Sequence, residues 1–329
     1  MLSSPPDQSG TLTQPATRRH VIGPSWRGGT PALQMWVPPE NRIEVAELAG
    51  ELCLTPLAER RCVGRRDAEQ GGRVPCPSAT PLARGTQCDR CRFDDGFSAC
   101  ITCDGSRCPV LPPAVERYCR SMHHLYLMDI GAQGRLKVGT AVDGRQELRV
   151  LEQGPVAAAL VAAGPGPQIK QLEKAVARLG LRERFAARQK AAFAFRAADV
   201  ARSRARILAA YAMVRDGVPA DLAAALHAPE FVALPPPADR TSIDVAAAAG
   251  SGGGGVQVPQ VLQVRSLPVR AGHTIRGQIC GVRGAFVLLD TAAAPGVYGV
   301  LDLSQLRARM VDLAPAAAAP LPPAQLRLL

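Results

Sequence analysis

A phenol and an ammonium, Tyr126 in His124-Leu125-Tyr126-Leu127 and Lys137 in Lys137-Val138-Gly139, sit one hairpin apart behind a run of cysteines. In Leu125-Tyr126-Leu127 and Leu136-Lys137-Val138, aliphatic residues alternate with these two. In paired strands both therefore project from the face opposite the Leu and Val side chains. Arg145 and Arg149, spaced four apart on an expected helix, can present a guanidinium to the same face. Further on, Ile169, Leu172, Val176 and Leu179 define a buried helical stripe, and Glu173 falls at its rim, roughly 80° from the centre. A carboxylate there can be held by packing and still reach a divalent cation. Taken singly, each residue has an ordinary reading, because strand tyrosines pack and helical arginines and glutamates face water. Together and in this order, Tyr126, Lys137, Arg149 and Glu173 are candidates for a phosphodiester-cutting site.

The cysteines suggest a second kind of chemistry. Of ten in the chain, eight lie between Cys62 and Cys119, including Cys88-Asp89-Arg90-Cys91 and Cys100-Ile101-Thr102-Cys103. A C-x2-C unit lets two thiolates and the intervening amides wrap one ion, and two more thiolates close a tetrahedral shell. The grouping expected is Cys62, Cys76, Cys88 and Cys91 at one ion and Cys100, Cys103, Cys108 and Cys119 at the other, with an interleaved grouping as the alternative. Zinc is the first choice, giving two structural sites, and an iron-sulfur cluster is the minority alternative. His123 or His124 could replace one cysteine, although histidines beside strands more often pack. Cys53 and Cys280 stand alone in apolar strands and read as core residues. Pro, Gly, Asp and Arg fill the spaces between the eight cysteines, so this segment cannot hold itself together by a core and needs a metal.

These groups must be positioned by the rest of the chain. Residues 1–17 are rich in Ser, Pro, Thr and Gln and read as a disordered tail. Residues 18–61 read as an N-terminal β module, 62–122 as the Cys-rich zinc-binding module, and 123–230 as an α+β core. That core runs hairpin, helix with Arg149, strand at Val156–Ala163, helix at Gln168–Leu179, and a basic helical stretch from Arg182 to Tyr211. Residues 231–255 form a Pro/Ala/Gly linker, 256–314 a C-terminal β module that can complete a sheet with the N-terminal one, and 315–329 a disordered tail.

A formal charge of +11 favours an anionic partner, DNA or RNA, although charge alone fits an arginine-rich proteome equally well. The chain lacks an apolar run long enough for a bilayer and a secretory signal, so no membrane partner is expected and the location expected is cytoplasmic.

His124-Leu125-Tyr126, Lys137-Val138-Gly139, Arg149 before Leu151-Glu152-Gln153-Gly154, and Glu173 resemble the core of the GIY-YIG nuclease superfamily in order and spacing. From Cys62 to about Leu179 the chain resembles, more closely, a bacterial family that couples a Cys-rich zinc-binding segment to a GIY-YIG-like core with a Lys-Val-Gly second motif. Arg61-Cys62-Val63-Gly64 and Leu151-Glu152-Gln153-Gly154-Pro155 carry that likeness. The resemblance implies a small mixed sheet with helices. It also implies a tyrosine, Tyr126, that helps deprotonate water, an arginine, Arg149, that steadies phosphorane charge, and a glutamate, Glu173, that holds Mg2+ or Mn2+. Lys137 stands where typical members have a second tyrosine and His124 where they have a first glycine. General-base work then falls on Tyr126 or a metal-bound water. The function expected is metal-dependent cleavage of DNA or RNA by a nuclease or nuclease-derived protein; the alternatives are a non-catalytic nucleic-acid-binding protein and a zinc-stabilised interaction scaffold.

Overall fold

The computed structural model describes residues 17–39, 42–67, 72–97, 100, 103–131, 135–195, 199–235, 263–292 and 297–314. The expected tails lie outside these residues except Thr17, which already belongs to a strand, as does the linker from 236 onward.

The chain opens with four strands, β1 (Thr17–Arg27), β2 (Thr30–Val37), β3 (Arg42–Glu47) and β4 (Glu51–Arg60). The Cys-rich segment follows, with a two-residue-per-strand hairpin of β5 (Arg65–Arg66) and β6 (Arg73–Val74), then α1 (Asp89–Asp95) and α2 (Pro113–Arg120). The core contributes β7 (Met122–Asp129), β8 (Leu136–Val142), α3 (Gln146–Gln153), β9 (Ala157–Pro165) and α4 (Gly166–Arg178). It continues through α5 (Ala187–Ala194), α6 (Val200–Gly217), α7 (Ala220–Ala223) and β10 (Leu226–Phe231). Last come β11 (Gln263–Leu267), β12 (Ile275–Arg283), β13 (Phe286–Asp290), β14 (Val297–Asp302) and β15 (Arg309–Leu313). The class is α+β, with strands dominating.

The two β modules at the chain's ends form one nine-stranded sheet in the order β11-β14-β13-β12-β4-β15-β1-β2-β3. β4 lies between β12 and β15, and β15 separates it from β1, so the two end modules interleave. One apolar core, including Val21, Leu33, Met35, Leu54, Val287, Leu301 and Val311, is shared by strands from both ends. Each tryptophan in this sheet buries its ring and finds one acceptor for its indole N–H. Trp26 donates to the Gly284 carbonyl (3.2 Å) and Trp36 to the Val63 carbonyl (3.3 Å) at the start of the Cys-rich segment.

The second sheet is antiparallel, in the order β10-β9-β7-β8. Leu125, Leu127 and Val138 point to one face and pack with Ile169, Leu172 and Val176 of α4 and Ile207 and Val214 of α6. The opposite face carries Tyr126, Met128, Ala141 and Ala158 beneath Val150 of α3. Three expectations are corrected here. The basic stretch from Arg182 to Tyr211 is two helices, and Asp199 starts the second by accepting from the Arg202 N–H (3.0 Å). Arg182 is extended and pairs with the β8 edge, its N–H donating to the Leu136 carbonyl at 3.0 Å. The expected linker start at residue 231 is too early, because Phe231 ends β10, Val232 is buried against β9 and Leu234 packs on the same cluster. No helix among the described residues is long and apolar enough to cross a membrane.

Candidate functional site

Tyr126 on β7 stands directly opposite Gly139 on β8, and Met128 opposite Lys137. Directly opposed residues share a face in an antiparallel pair, so the phenol and the ammonium lie together. Gly139, the last residue of the Lys-Val-Gly triplet, makes room for the ring. A Cβ there would sit 2.3 Å from the Tyr126 hydroxyl oxygen, and no side chain fits at that distance. The Lys137 ammonium lies 5.7 Å from the Tyr126 ring centroid and donates to the carbonyls of Glu183 (2.7 Å) and Val138 (3.1 Å).

α3 and α4 bring the other two groups. The Arg149 guanidinium stands beside the phenol and donates to Glu152 Oε2 at 2.8 Å. Glu173, on α4, influences both Tyr126 and Lys137 by its charge and is paired to Lys170 one turn before it. Tyr126, Lys137 and Arg149 lie together, and Glu173 lies within reach of their charge. The surprise is depth: Tyr126, Lys137 and Glu173 are 1%, 7% and 6% exposed, whereas the Arg149 side chain is 49% exposed. Glu173 is thus no rim residue, and of the four side chains it is Arg149 that is open to solvent.

Burial sets the protonation states. It pushes the Tyr126 phenol up to about 12 against the pull of Arg149, so the phenol is a hydrogen-bond donor at neutral pH. It brings the Lys137 ammonium down to about 8, with repulsion from Lys190 adding to the effect. Lys190, on α5, was not foreseen because it lies inside the basic stretch with nothing in its spacing to single it out. It donates to Gln153 Oε1 (2.6 Å), and burial and Arg149 lower its own pKa. α5 is held in place by Ala191 and Ala194, which pack on Phe286, Leu288 and Val300 of the nine-stranded sheet. The Arg283 guanidinium joins the two units further, donating to the carbonyls of Gly154 (3.0 Å) and Ala194 (2.8 Å). Of the other basic side chains in the stretch, Arg206 is committed to buried Asp129 and Arg204 lies over the Phe231 ring at 4.9 Å.

The second site is made of sulfur. Cys62, Cys76, Cys88 and Cys91 have all four Sγ atoms within 4.8 Å of one another, with Cys76 and Cys88 4.0 Å apart. A tetrahedral shell with Zn–S bonds of about 2.3 Å has sulfur atoms about 3.8 Å apart, so the quartet can hold a structural metal such as zinc. Backbone N–H groups of Gly64 (3.4 Å) and Cys88 (3.2 Å) donate to Cys62 Sγ, and that of Cys91 donates to Cys88 Sγ (3.5 Å). Gly64 turns with φ +79° and presses against the Val74 carbonyl, where a Cβ would come within 1.9 Å, so the turn that aims these donors demands glycine. Burial raises the Cys62 and Cys91 thiols. At Cys76 burial also acts upward, but hydrogen bonds from Thr80 and Ser78 outweigh it and bring the thiol to about 6.

Cys100, Cys103, Cys108 and Cys119 lie near enough to act on one another electrostatically, and burial followed by its three neighbours pushes Cys119 up to about 11. Among the described residues, the first quartet is the one set with donors within 4.8 Å. His123 Nδ1 is hydrogen-bonded to the Ser121 carbonyl at 2.9 Å, and its ring packs on Tyr118. His124 Nε2 meets Asp143 at 3.0 Å. Cys53 is buried in β4 and Cys280 partly buried in β12, both as free thiols. Compared with protein-family models, curated proteins and solved structures, the chain finds no match.

Proposed function

We propose that this protein is a zinc-containing, nuclease-derived protein whose α+β core acts on phosphodiesters of DNA or RNA in the manner of the GIY-YIG superfamily. The observation that supports it is that Tyr126, Lys137 and Arg149, drawn from β7, β8 and α3, lie together with Glu173 of α4 within reach of their charge. Arg149, being half exposed, is the first contact for a phosphate oxygen. Lys137 and Lys190 add positive charge behind it, in a low-dielectric setting where charge acts strongly on a developing phosphorane. Tyr126, protonated at neutral pH, donates a hydrogen bond rather than taking a proton. Glu173 offers the site a buried carboxylate that suits one position on Mg2+ or Mn2+, provided Lys170 gives way; such an ion would supply Lewis acidity and a water of lowered pKa. The quartet of Cys62, Cys76, Cys88 and Cys91 suits zinc, and we assign the four remaining cysteines to a second zinc ion. Removing the guanidinium or the carboxylate is expected to slow cleavage on the order of a hundredfold.

A second reading, binding without turnover, draws support from the depth of Tyr126 and Glu173 and from the Lys170 pair. One experiment separates the two. The zinc-loaded protein is incubated with mixed DNA and RNA and Mg2+ or Mn2+, beside Glu173→Ala. Cleavage by the wild type that the variant lacks supports the first reading. Salt-sensitive retention of nucleic acid with no cleavage by either protein supports the second. Equal products from both proteins would remove Glu173 from the mechanism.

A further inference from the structure

Two guanidinium nitrogens near the first thiol quartet, Arg73 Nη1 and Arg307 Nε, are buried and have no hydrogen-bond partner among the described residues. A buried cationic donor without an acceptor is costly, so each needs a physical account. Arg73 lies on β6 directly opposite Arg66 on β5, in the hairpin that wraps the quartet. The next residue, Val74, presses its carbonyl on Gly64, whose N–H donates to Cys62 Sγ. Arg307 reaches the same place from the nine-stranded sheet, where Arg66, Arg73 and Arg307 repel one another across Asp95. Asp95 is already engaged, accepting from Arg66 Nε (3.0 Å) and from Gln87 Nε2 (2.8 Å). Glu152, the other acid that acts on Arg307, is taken by Arg149 (2.8 Å) and Arg145 (3.9 Å). Asp95 thus acts on all three guanidiniums, and the Cys62 sulfur is a further group that acts on Arg73.

We infer that Arg73, with Arg66 and Arg307, supplies the counter-charge for a metal–tetrathiolate complex at Cys62, Cys76, Cys88 and Cys91. A divalent ion held by four thiolates carries two net negative charges, and the thiols still protonated release their protons to solvent as it binds. The thiolates give the crowded guanidiniums an anion to face, beginning with Cys62 beside Arg73. Arg73 is a positioning residue for the metal and no ligand of it.

The test follows zinc release to a chromogenic chelator from the full-length, zinc-loaded protein. Arg73→Met keeps the length of the side chain and removes its charge; it is expected to release zinc at least about tenfold faster than the wild type, the usual scale for partners behind a ligand shell. Arg73→Lys restores the charge and is expected to release zinc at nearly the wild-type rate. Wild-type release from Arg73→Met would overturn the inference, as would equal impairment of the Met and Lys variants, which would mark a packing role. Weakened nucleic-acid retention with unchanged zinc release would assign the guanidiniums to an external anion and also overturn it. Should Arg73→Met not fold, Arg307→Met is measured in the same way, and unchanged release there decides against the proposal. A wild type that holds no zinc overturns the inference together with the metal reading on which it rests.

Discussion

The Cys-rich segment and the four-stranded sheet both hold polar groups away from water, and they do so by opposite means. In the segment, Cys62, Cys76 and Cys91 form almost the whole buried cluster, with Leu82 and Cys88 packed against it, so sulfur takes the place of a core. In the sheet, Tyr126, Lys137 and Glu173 are enclosed by apolar layers that exist independently of them: Leu125, Leu127 and Val138 on one face, Met128, Val150 and Leu160 on the other. A segment whose buried apolar residues beyond the cysteines are few, Val63, Phe97 and Val115 among them, is expected to depend on a metal. A sheet with two apolar faces can carry charged groups as passengers, and it tolerates their loss at the expense of stability rather than of fold.

The sharpest break of this contrast is metal removal. Chelation, or Cys62→Ser, is expected to unfold the Cys-rich segment, since structural zinc contributes on the order of 10 kcal/mol where no core substitutes for it. Trp36 reports the event, because its indole is 4% exposed and donates to Val63 beside Cys62. Its fluorescence should shift to the red while the four-stranded sheet keeps its protection from hydrogen exchange. Simultaneous loss of both regions would erase the distinction.

A smaller effect is expected inside the sheet. Gly139→Ala forces a methyl group against the phenol of Tyr126 and should destabilise the protein by about 2 kcal/mol, the usual scale of overpacking, in a urea titration. Tyr126→Phe in the same chain should recover only part of this, since the nearest ring carbons, at 2.5 and 2.7 Å, are almost as close as the hydroxyl oxygen. Wild-type stability in Gly139→Ala would mean that the two strands do not pair in this register.

The smallest effect is one of pH. The Lys137 ammonium titrates near 8 in the folded protein against an ordinary 10.5. Between those values the unfolded chain holds a proton that the native protein has released. Stability therefore rises with pH across that window, and below about 8 the contribution is a constant penalty. Tyr126 works the other way and only at higher pH. Its folded value of about 12 lies above the ordinary 10, so stability falls as pH climbs through that interval. Lys137→Met should abolish the rise between pH 8 and 10 in chemical melts, and a rise of the same slope in the variant would assign it to another group.

Much of this was legible in the sequence, and the reasons differ by residue. The period-two alternation around Tyr126 and Lys137 fixes which face each occupies, and the stripe of Ile169, Leu172 and Val176 fixes how α4 lies on the sheet. The C-x2-C spacing at Cys88 and Cys91 marks a metal shell but leaves open which cysteines complete it; the fold brings in Cys62 and Cys76. Other features had no local signal. Glu173 is buried although it lies off the apolar stripe of α4, and a helical wheel does not see the neighbouring strand. Lys190 reaches the site because α5 rests on strands from the other end of the chain. Asp199 divides the basic stretch into two helices, yet an aspartate among arginines reads equally well as a surface ion pair. The interleaving of β4 and β15 is set by pairing across more than two hundred residues of intervening chain, a separation at which local pattern carries no information.

The central claim is that the cluster around Arg149 receives a phosphate. The most direct measurement is the salt dependence of oligonucleotide binding by the zinc-loaded wild type and by Arg149→Gln, a change at a half-exposed position that leaves the apolar layers intact. The wild type should bind with a steep salt slope, and the variant should bind more weakly with a slope lower by about one. Equal affinities and equal slopes for the two proteins would contradict the account.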